Sequence, residues 1–116
     1  VAMMPFALNK STKYISPTKT PEYLAGGKPV VSTSITDVVE PYGNEGLVFI
    51  ADTAPAFVEA IDMALNSDND DLWLQKVDGF LAGISWDKTY ETMSHLMKLT
   101  LDSKKITDPK KMKTYV

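Results

Sequence analysis

The chain of 116 residues contains no cysteine, which excludes a disulfide-stapled scaffold, thiol catalysis and cysteine-ligated zinc. It has a single histidine, His95, and this argues against a histidine-rich metal site. No apolar run approaches the roughly 20 residues that a membrane-spanning helix needs. Because 44% of the residues are hydrophobic and 23% are charged, the composition is that of a globular domain and not of a disordered chain.

Arginine is also absent, and all 12 basic residues are lysines with an uneven distribution. Residues 1–28 carry four lysines and one acid, residues 29–75 carry nine acids and no lysine, and residues 76–116 carry eight lysines and five acids. A nucleic-acid-binding surface usually spreads arginine and lysine over one continuous face. The pattern therefore argues against nucleic acid as a partner and predicts a local anion site near the N-terminal end.

The alternation of apolar runs and helix signals predicts an α/β fold. Three short, continuous apolar runs are typical of strands buried on both faces of a parallel sheet: Val1–Phe6, 29–33 and 47–51. Capping residues and apolar periodicity predict helices over 17–25, 37–40, 54–66, 71–82 and 86–102. The order β-α-β-α-β-α-α-α predicts three parallel strands with flanking helices, joined by right-handed crossovers.

The segment that follows the first strand carries the clearest chemistry. A helix starting there, with Ser16 as its cap, presents free N–H groups and the positive end of its dipole. Hydroxyls at Ser16, Thr18 and Thr20 and the ammonium of Lys19 favour a phosphate or diphosphate, and Glu22 can accept hydrogen bonds from a ribose. The alternative is structural: Ser16 caps the helix, Lys19 is solvated, and Glu22 interacts with the helix dipole.

Residues 16–31 read Ser-Pro-Thr-Lys-Thr-Pro-Glu-Tyr-Leu-Ala-Gly-Gly-Lys-Pro-Val-Val, which resembles the donor-binding segment of GT-B glycosyltransferases. More narrowly, it is similar to bacterial enzymes of the glycosyltransferase family 1/4 type, where a Pro-x-Lys-x-x-Glu-Tyr-Leu-Ala-x-Gly-Lys-Pro-Val-Val pattern recurs. The segments Asp37-Val38-Val39 and Ser85-Trp86-Asp87 extend the resemblance to about residues 1–101. Tyr14 departs from it, since many relatives carry a sugar-contacting glutamate at this position.

The resemblance implies a truncated Rossmann-like C-terminal subdomain of a GT-B enzyme over residues 1–103, followed by a basic, flexible tail over 104–116. The parent would transfer a sugar from a nucleotide diphosphate sugar to a glycan or other acceptor, in bacterial polysaccharide biosynthesis. The implied diphosphate contacts are Ser16, Thr18 and Lys19, and the implied ribose contact is Glu22. No catalytic residue, metal site or cofactor other than the donor is assigned to this chain.

Further expectations follow for partners and location. The chain opens on an apolar run without a start methionine, so we expect it to be part of a longer protein whose N-terminal domain supplies the acceptor site and usually the catalytic base. The isolated chain is then expected to be inactive. The implied location is the cytoplasm, where the lysine-rich tail could touch the inner face of the cytoplasmic membrane.

One other interpretation stands beside this one. The chain could be a non-enzymatic α/β binding or interaction module, such as a small response-regulator-like domain. It lacks the acidic pair that a receiver carries after its first strand, and Asp52 stands alone after the third. If the chain is truncated, the edge of the first strand, Val1–Phe6, is open where an absent strand would pair. This predicts association with a second copy, because an exposed strand edge invites pairing.

Overall fold

A computed structural model describes residues 1–67 and 70–107, with the side chains described as far as residue 104. The chain divides into two compact units, Val1–Leu81 and Ala82–Val116. The strands are β1 (Ala2–Met4), β2 (Val30–Ser32) and β3 (Val48–Ile50). The helices are α1 (Lys19–Ala25), α2 (Thr36–Val38), α3 (Ala54–Asn66), α4 (Asp71–Leu81) and α5 (Trp86–Thr107).

The three strands of the first unit form one parallel sheet in the order β1-β2-β3, which confirms the predicted α/β architecture with flanking helices. Met3 lies beside Val31, and Val31 lies beside Phe49. The strands are shorter than the apolar runs that predicted them. Pairing of β1 ends after Met4, because the N–H of Phe6 turns back to the Met4 carbonyl oxygen at 3.0 Å.

The sheet is covered on both faces. On one face, Met4, Val30 and Val48 pack in a single core with Leu24 of α1 and Val77 of α4. On the other face, a smaller core joins strand residues to α3 and consists of Val31, Ala51, Ala60 and Ala64. Because neighbouring strand residues point to opposite faces, both sets of side chains must be apolar, which explains the continuous apolar runs.

Helix α1 differs from the prediction at its start. It begins at Lys19 and not at residue 17, and Thr18, in helical backbone geometry, precedes it without a side-chain cap bond. The prediction that Ser16 caps this helix is therefore wrong. Pro21 has no N–H, and the N–H of Thr20 bonds to the Pro17 carbonyl oxygen at 3.3 Å, so fewer amide groups need a cap.

The other predicted helices of the first unit are recovered to different degrees. Helix α3 is confirmed over Ala54–Asn66, and the Thr53 hydroxyl accepts a hydrogen bond from the Ala56 N–H at 3.4 Å. Helix α2 is shorter than predicted, because Glu40 has a φ of −109° and a ψ of 115°. A residue before proline is disfavoured in helical geometry, so the chain continues as a wide helical turn over Val39–Gly43.

In the second unit, the described residues 82–107 contain one long helix, α5. Its predicted cap is confirmed, since the Ser85 hydroxyl oxygen accepts from the Lys88 N–H at 3.1 Å. Helix α5 runs to Thr107, past the predicted end, and the rest of the predicted tail lies outside the described residues. Trp86, Tyr90 and Met93 recur along it and are exposed. No helix in the described ranges has both the length and the apolar character that a membrane crossing requires.

The core between the sheet and helices α1 and α4 predicts the effect of replacing a buried side chain by a smaller one. Leu24 is 1% exposed, so Leu24→Ala should lower the free energy of unfolding by about 2–5 kcal/mol through lost contacts and a residual cavity. Leu72 on α4 is 76% exposed, and Leu72→Ala should change it by less than about 0.5 kcal/mol. Urea unfolding followed by circular dichroism measures both. Equal losses for the two variants would contradict this core.

The outer edge of β1 allows the expected association with a second copy to be tested. The Ala2 N–H donates to the Pro29 carbonyl oxygen, and the Met4 carbonyl oxygen accepts from the Thr33 N–H. Because alternate residues of a parallel strand bond to the same neighbour, the backbone N–H and carbonyl of Met3, between them, face away from β2. Met3→Lys places a charge at this edge and should weaken self-association at least about fivefold. Met63→Lys, at an equally exposed methionine on α3, is the control. Sedimentation that shows only monomer, or equal association of both variants, would refute pairing through β1.

Candidate functional site

The carboxyl ends of β1, β2 and β3 meet at one edge of the sheet, because the three strands are parallel. In open parallel α/β sheets, ligands bind in the crevice outside these ends. The chain leaves the strands there through three segments that carry many polar residues: 5–18 after β1, 33–35 after β2 and 51–53 after β3. This edge is therefore the candidate functional site.

Polar side chains tie these three segments to one another. The carboxylate of Asp52 accepts two hydrogen bonds from Ser34, one from its N–H and one from its hydroxyl, both at 2.8 Å. The Thr33 hydroxyl donates to the Phe6 carbonyl oxygen at 2.9 Å. The Ser34–Asp52 bonds thus join the segments that follow β2 and β3, and the Thr33–Phe6 bond joins the segments that follow β1 and β2. These contacts hold the edge in a defined geometry.

The segment after β1 forms a compact turn. The Asn9 carboxamide oxygen accepts from the N–H groups of Ser11 and Thr12, at 2.9 and 3.1 Å. The Lys13 N–H bonds to the Asn9 backbone carbonyl at 3.1 Å, and the Thr12 hydroxyl donates to the Ala7 carbonyl. The turn is therefore fixed by its own side chains, as is typical of an Asx turn.

Two open clefts lie at this edge. One has a volume of about 310 Å³ and lies between the turn of residues 8–13 and the pair Ser34 and Ile35, with Lys10 and Lys13 among its lining residues. The other, also about 310 Å³, is lined by Thr33, Asp52 and the first turns of α3. Sequence reasoning did not single out either cleft. The available signal was the run of polar residues directly after each buried strand.

The predicted site residues fall into an exposed group and a buried one. Ser16, Thr18, Lys19 and Glu22 are all exposed, at or just before the start of α1. Thr20 is fully buried, and its hydroxyl lies 3.8 Å from the sulfur of Met4. The structure therefore gathers four of the five predicted residues at the surface, while the Thr20 side chain faces the core.

Lys19 and Glu22 form an ion pair, with the Lys19 Nζ 3.1 Å from the Glu22 Oε2. This hydrogen bond, together with the charge of Glu22, raises the pKa of Lys19 above its ordinary value of 10.5. Because both side chains are more than half exposed, water screens the pair. An incoming anion could compete with Glu22 for Lys19, and Glu22 could then accept hydrogen bonds from another part of the same ligand.

The residues that the structure describes include no cluster of candidate metal ligands. Within these residues, no three carboxylate or imidazole side chains converge in the way that ligands of a metal ion would. The chain matches no protein-family model, and its comparison with curated proteins and with solved structures gives no significant match.

The bonds between Ser34 and Asp52 predict a specific loss of stability. Asp52→Ala removes the acceptor of both, and it should lower the free energy of unfolding by about 1–2 kcal/mol, since hydrogen bonds to a charged group are among the stronger ones. Asp62→Ala removes an exposed carboxylate from α3 and should have an effect below about 0.5 kcal/mol. Thermal and urea unfolding measure the difference. If Asp52→Ala were as stable as Asp62→Ala, these bonds would not hold the edge.

Proposed function

We propose that this chain is the donor-binding part of a glycosyltransferase that transfers a sugar from a nucleotide diphosphate sugar to a glycan or other acceptor. The observation that carries the proposal is the exposed Lys19–Glu22 pair at the start of the helix that follows the first parallel strand. The pair lies within residues 16–31, which resemble the donor segment of GT-B enzymes. It supplies a cation for phosphate and a carboxylate for ribose within one helical turn.

In this proposal each exposed residue has a separate role. Lys19 pairs with the donor diphosphate in place of Glu22, and the hydroxyls of Ser16 and Thr18 donate hydrogen bonds to its oxygens. Glu22, released from Lys19, accepts hydrogen bonds from the ribose hydroxyls. The positive charge would also stabilise the diphosphate as it leaves the sugar. Thr20 acts differently from the sequence-based expectation, because its buried side chain anchors α1 to β1 through Met4.

The proposal assigns no catalytic base to this chain. A further domain of the parent enzyme would bring the acceptor and the base, so the chain by itself is expected to bind the donor without transferring the sugar. The implied setting is cytoplasmic, beside the membrane at which a surface glycan is assembled.

A second candidate function is a non-enzymatic interaction module. The observation that favours it is the exposure of large apolar side chains along α5, where Trp86 is 88% and Tyr90 is 70% exposed. Exposed apolar surface of this kind is typical of protein interaction sites. This candidate predicts no affinity for nucleotides.

The Lys19–Glu22 pair allows a sharp test, because uridine diphosphate and pyrophosphate share a diphosphate and only uridine diphosphate carries a nucleoside, with its ribose hydroxyls. Glu22→Gln frees Lys19, so we expect pyrophosphate to bind about two- to fivefold more tightly and uridine diphosphate to bind at least about fivefold more weakly. Lys19→Gln should weaken both ligands. Isothermal titration calorimetry measures the six affinities of the unsubstituted chain and the two variants, with guanosine diphosphate in parallel because the base is not assigned.

Lys98→Gln and Glu91→Gln are matched controls, since both residues are exposed and lie outside the segment of residues 16–31. They should leave both affinities unchanged. The absence of nucleotide binding by the unsubstituted chain, or parallel changes for the two ligands in Glu22→Gln, would contradict the proposed roles and favour the interaction module.

A further inference from the structure

The cleft between the turn of residues 8–13 and Ser34–Ile35 combines three properties: its position, its charge and its rigidity. It opens at the carboxyl edge of the parallel sheet, where this class of sheet binds ligands. Its volume of about 310 Å³ is at the lower end of small-molecule sites. The position and the volume together point to a compact ligand, or to one compact group of a larger ligand.

Two lysines give this cleft a positive charge. Lys10 and Lys13 lie one turn apart in the chain, both line the cleft, and none of the lining residues is acidic. Within residues 1–67 and 70–104, neither lysine takes part in an ion pair. The Lys13 Nζ lies 5.2 Å from the centroid of the Tyr14 ring, a cation–π contact that holds the ammonium without neutralising it.

The other groups at the cleft define its walls. The Ser34 N–H and hydroxyl are both engaged by Asp52, whose carboxylate is the acidic group closest in the hydrogen-bond network. Ser34 therefore positions the wall and is not a free donor. The Asn9 turn holds the backbone between Lys10 and Lys13 in one conformation, so little backbone ordering remains to be done when an anion binds.

We infer that this cleft is a phosphate-binding subsite, in which Lys10 and Lys13 hold a phosphate group of a small phosphorylated ligand. In assigning that group to the nucleotide-sugar donor, the inference rests on the proposed function. The binding of phosphate itself does not. The subsite lies outside residues 16–31, and it accounts for the basic character of the first 28 residues without a nucleic-acid surface.

The test is a titration of the full chain with pyrophosphate, followed by amide chemical shifts and calorimetry. We expect the largest shifts at residues 10–13 and 34–35. The double variant Lys10→Gln/Lys13→Gln should abolish those shifts and weaken pyrophosphate at least about fivefold. The control Lys98→Gln should leave the shifts unchanged, and circular dichroism checks that both variants are folded.

Shifts confined to residues 16–22, or shifts at 10–13 that persist in the double variant, would overturn the subsite. A parallel titration with uridine diphosphate separates this inference from the proposed function. If uridine diphosphate binds no more tightly than pyrophosphate while both depend on Lys10 and Lys13, the phosphate subsite is upheld and the nucleotide assignment fails.

Discussion

The parallel pairing of β1, β2 and β3 is the constraint on which the rest of the first unit depends. β2 lies in the middle, and its residues Val30, Val31 and Ser32 are completely buried. A strand that is buried on both faces needs helices on each side of the sheet. Helices α1 and α4 cover one face, and helix α3 covers the other. The same pairing sends all three strand exits to one edge, so that segments far apart in the sequence become neighbours.

The polar chemistry of the molecule is a consequence of that arrangement. Ser34 and Asp52 meet because β2 and β3 end side by side, and Thr33 reaches Phe6 because β1 and β2 do. Hydrogen bonds join the segments that follow the three strands. The turn after β1, with Lys10 and Lys13, and the start of α1, with Lys19, adjoin these joined segments. In the proposed function Lys19 and Glu22 contact the donor, and the further inference adds the cleft that Lys10 and Lys13 line as a place for a phosphate group.

Features that depend on local patterns could be predicted from the sequence. The three strands, their parallel order, and helix α3 with its Thr53 cap follow from apolar runs and capping residues. Features that depend on tertiary packing could not. Ser16 has the right chemistry for a cap, but the chain turns at Thr18 because Pro21 removes one donor and Thr20 must reach the core.

The site shows the same division. The sequence pattern identified Lys19 and Glu22, but not that they pair with each other, because the rotamers that join them depend on the geometry of α1. The link between Ser34 and Asp52 spans 18 residues and exists only through the sheet register.

The most direct measurement of the central claim is a crystal structure of the chain with uridine diphosphate. The proposed function predicts the diphosphate within hydrogen-bond distance of the Lys19 ammonium, the Lys19–Glu22 pair broken, and the ribose hydroxyls on the Glu22 carboxylate. A nucleotide bound elsewhere on the chain, with the Lys19–Glu22 pair intact, would contradict it.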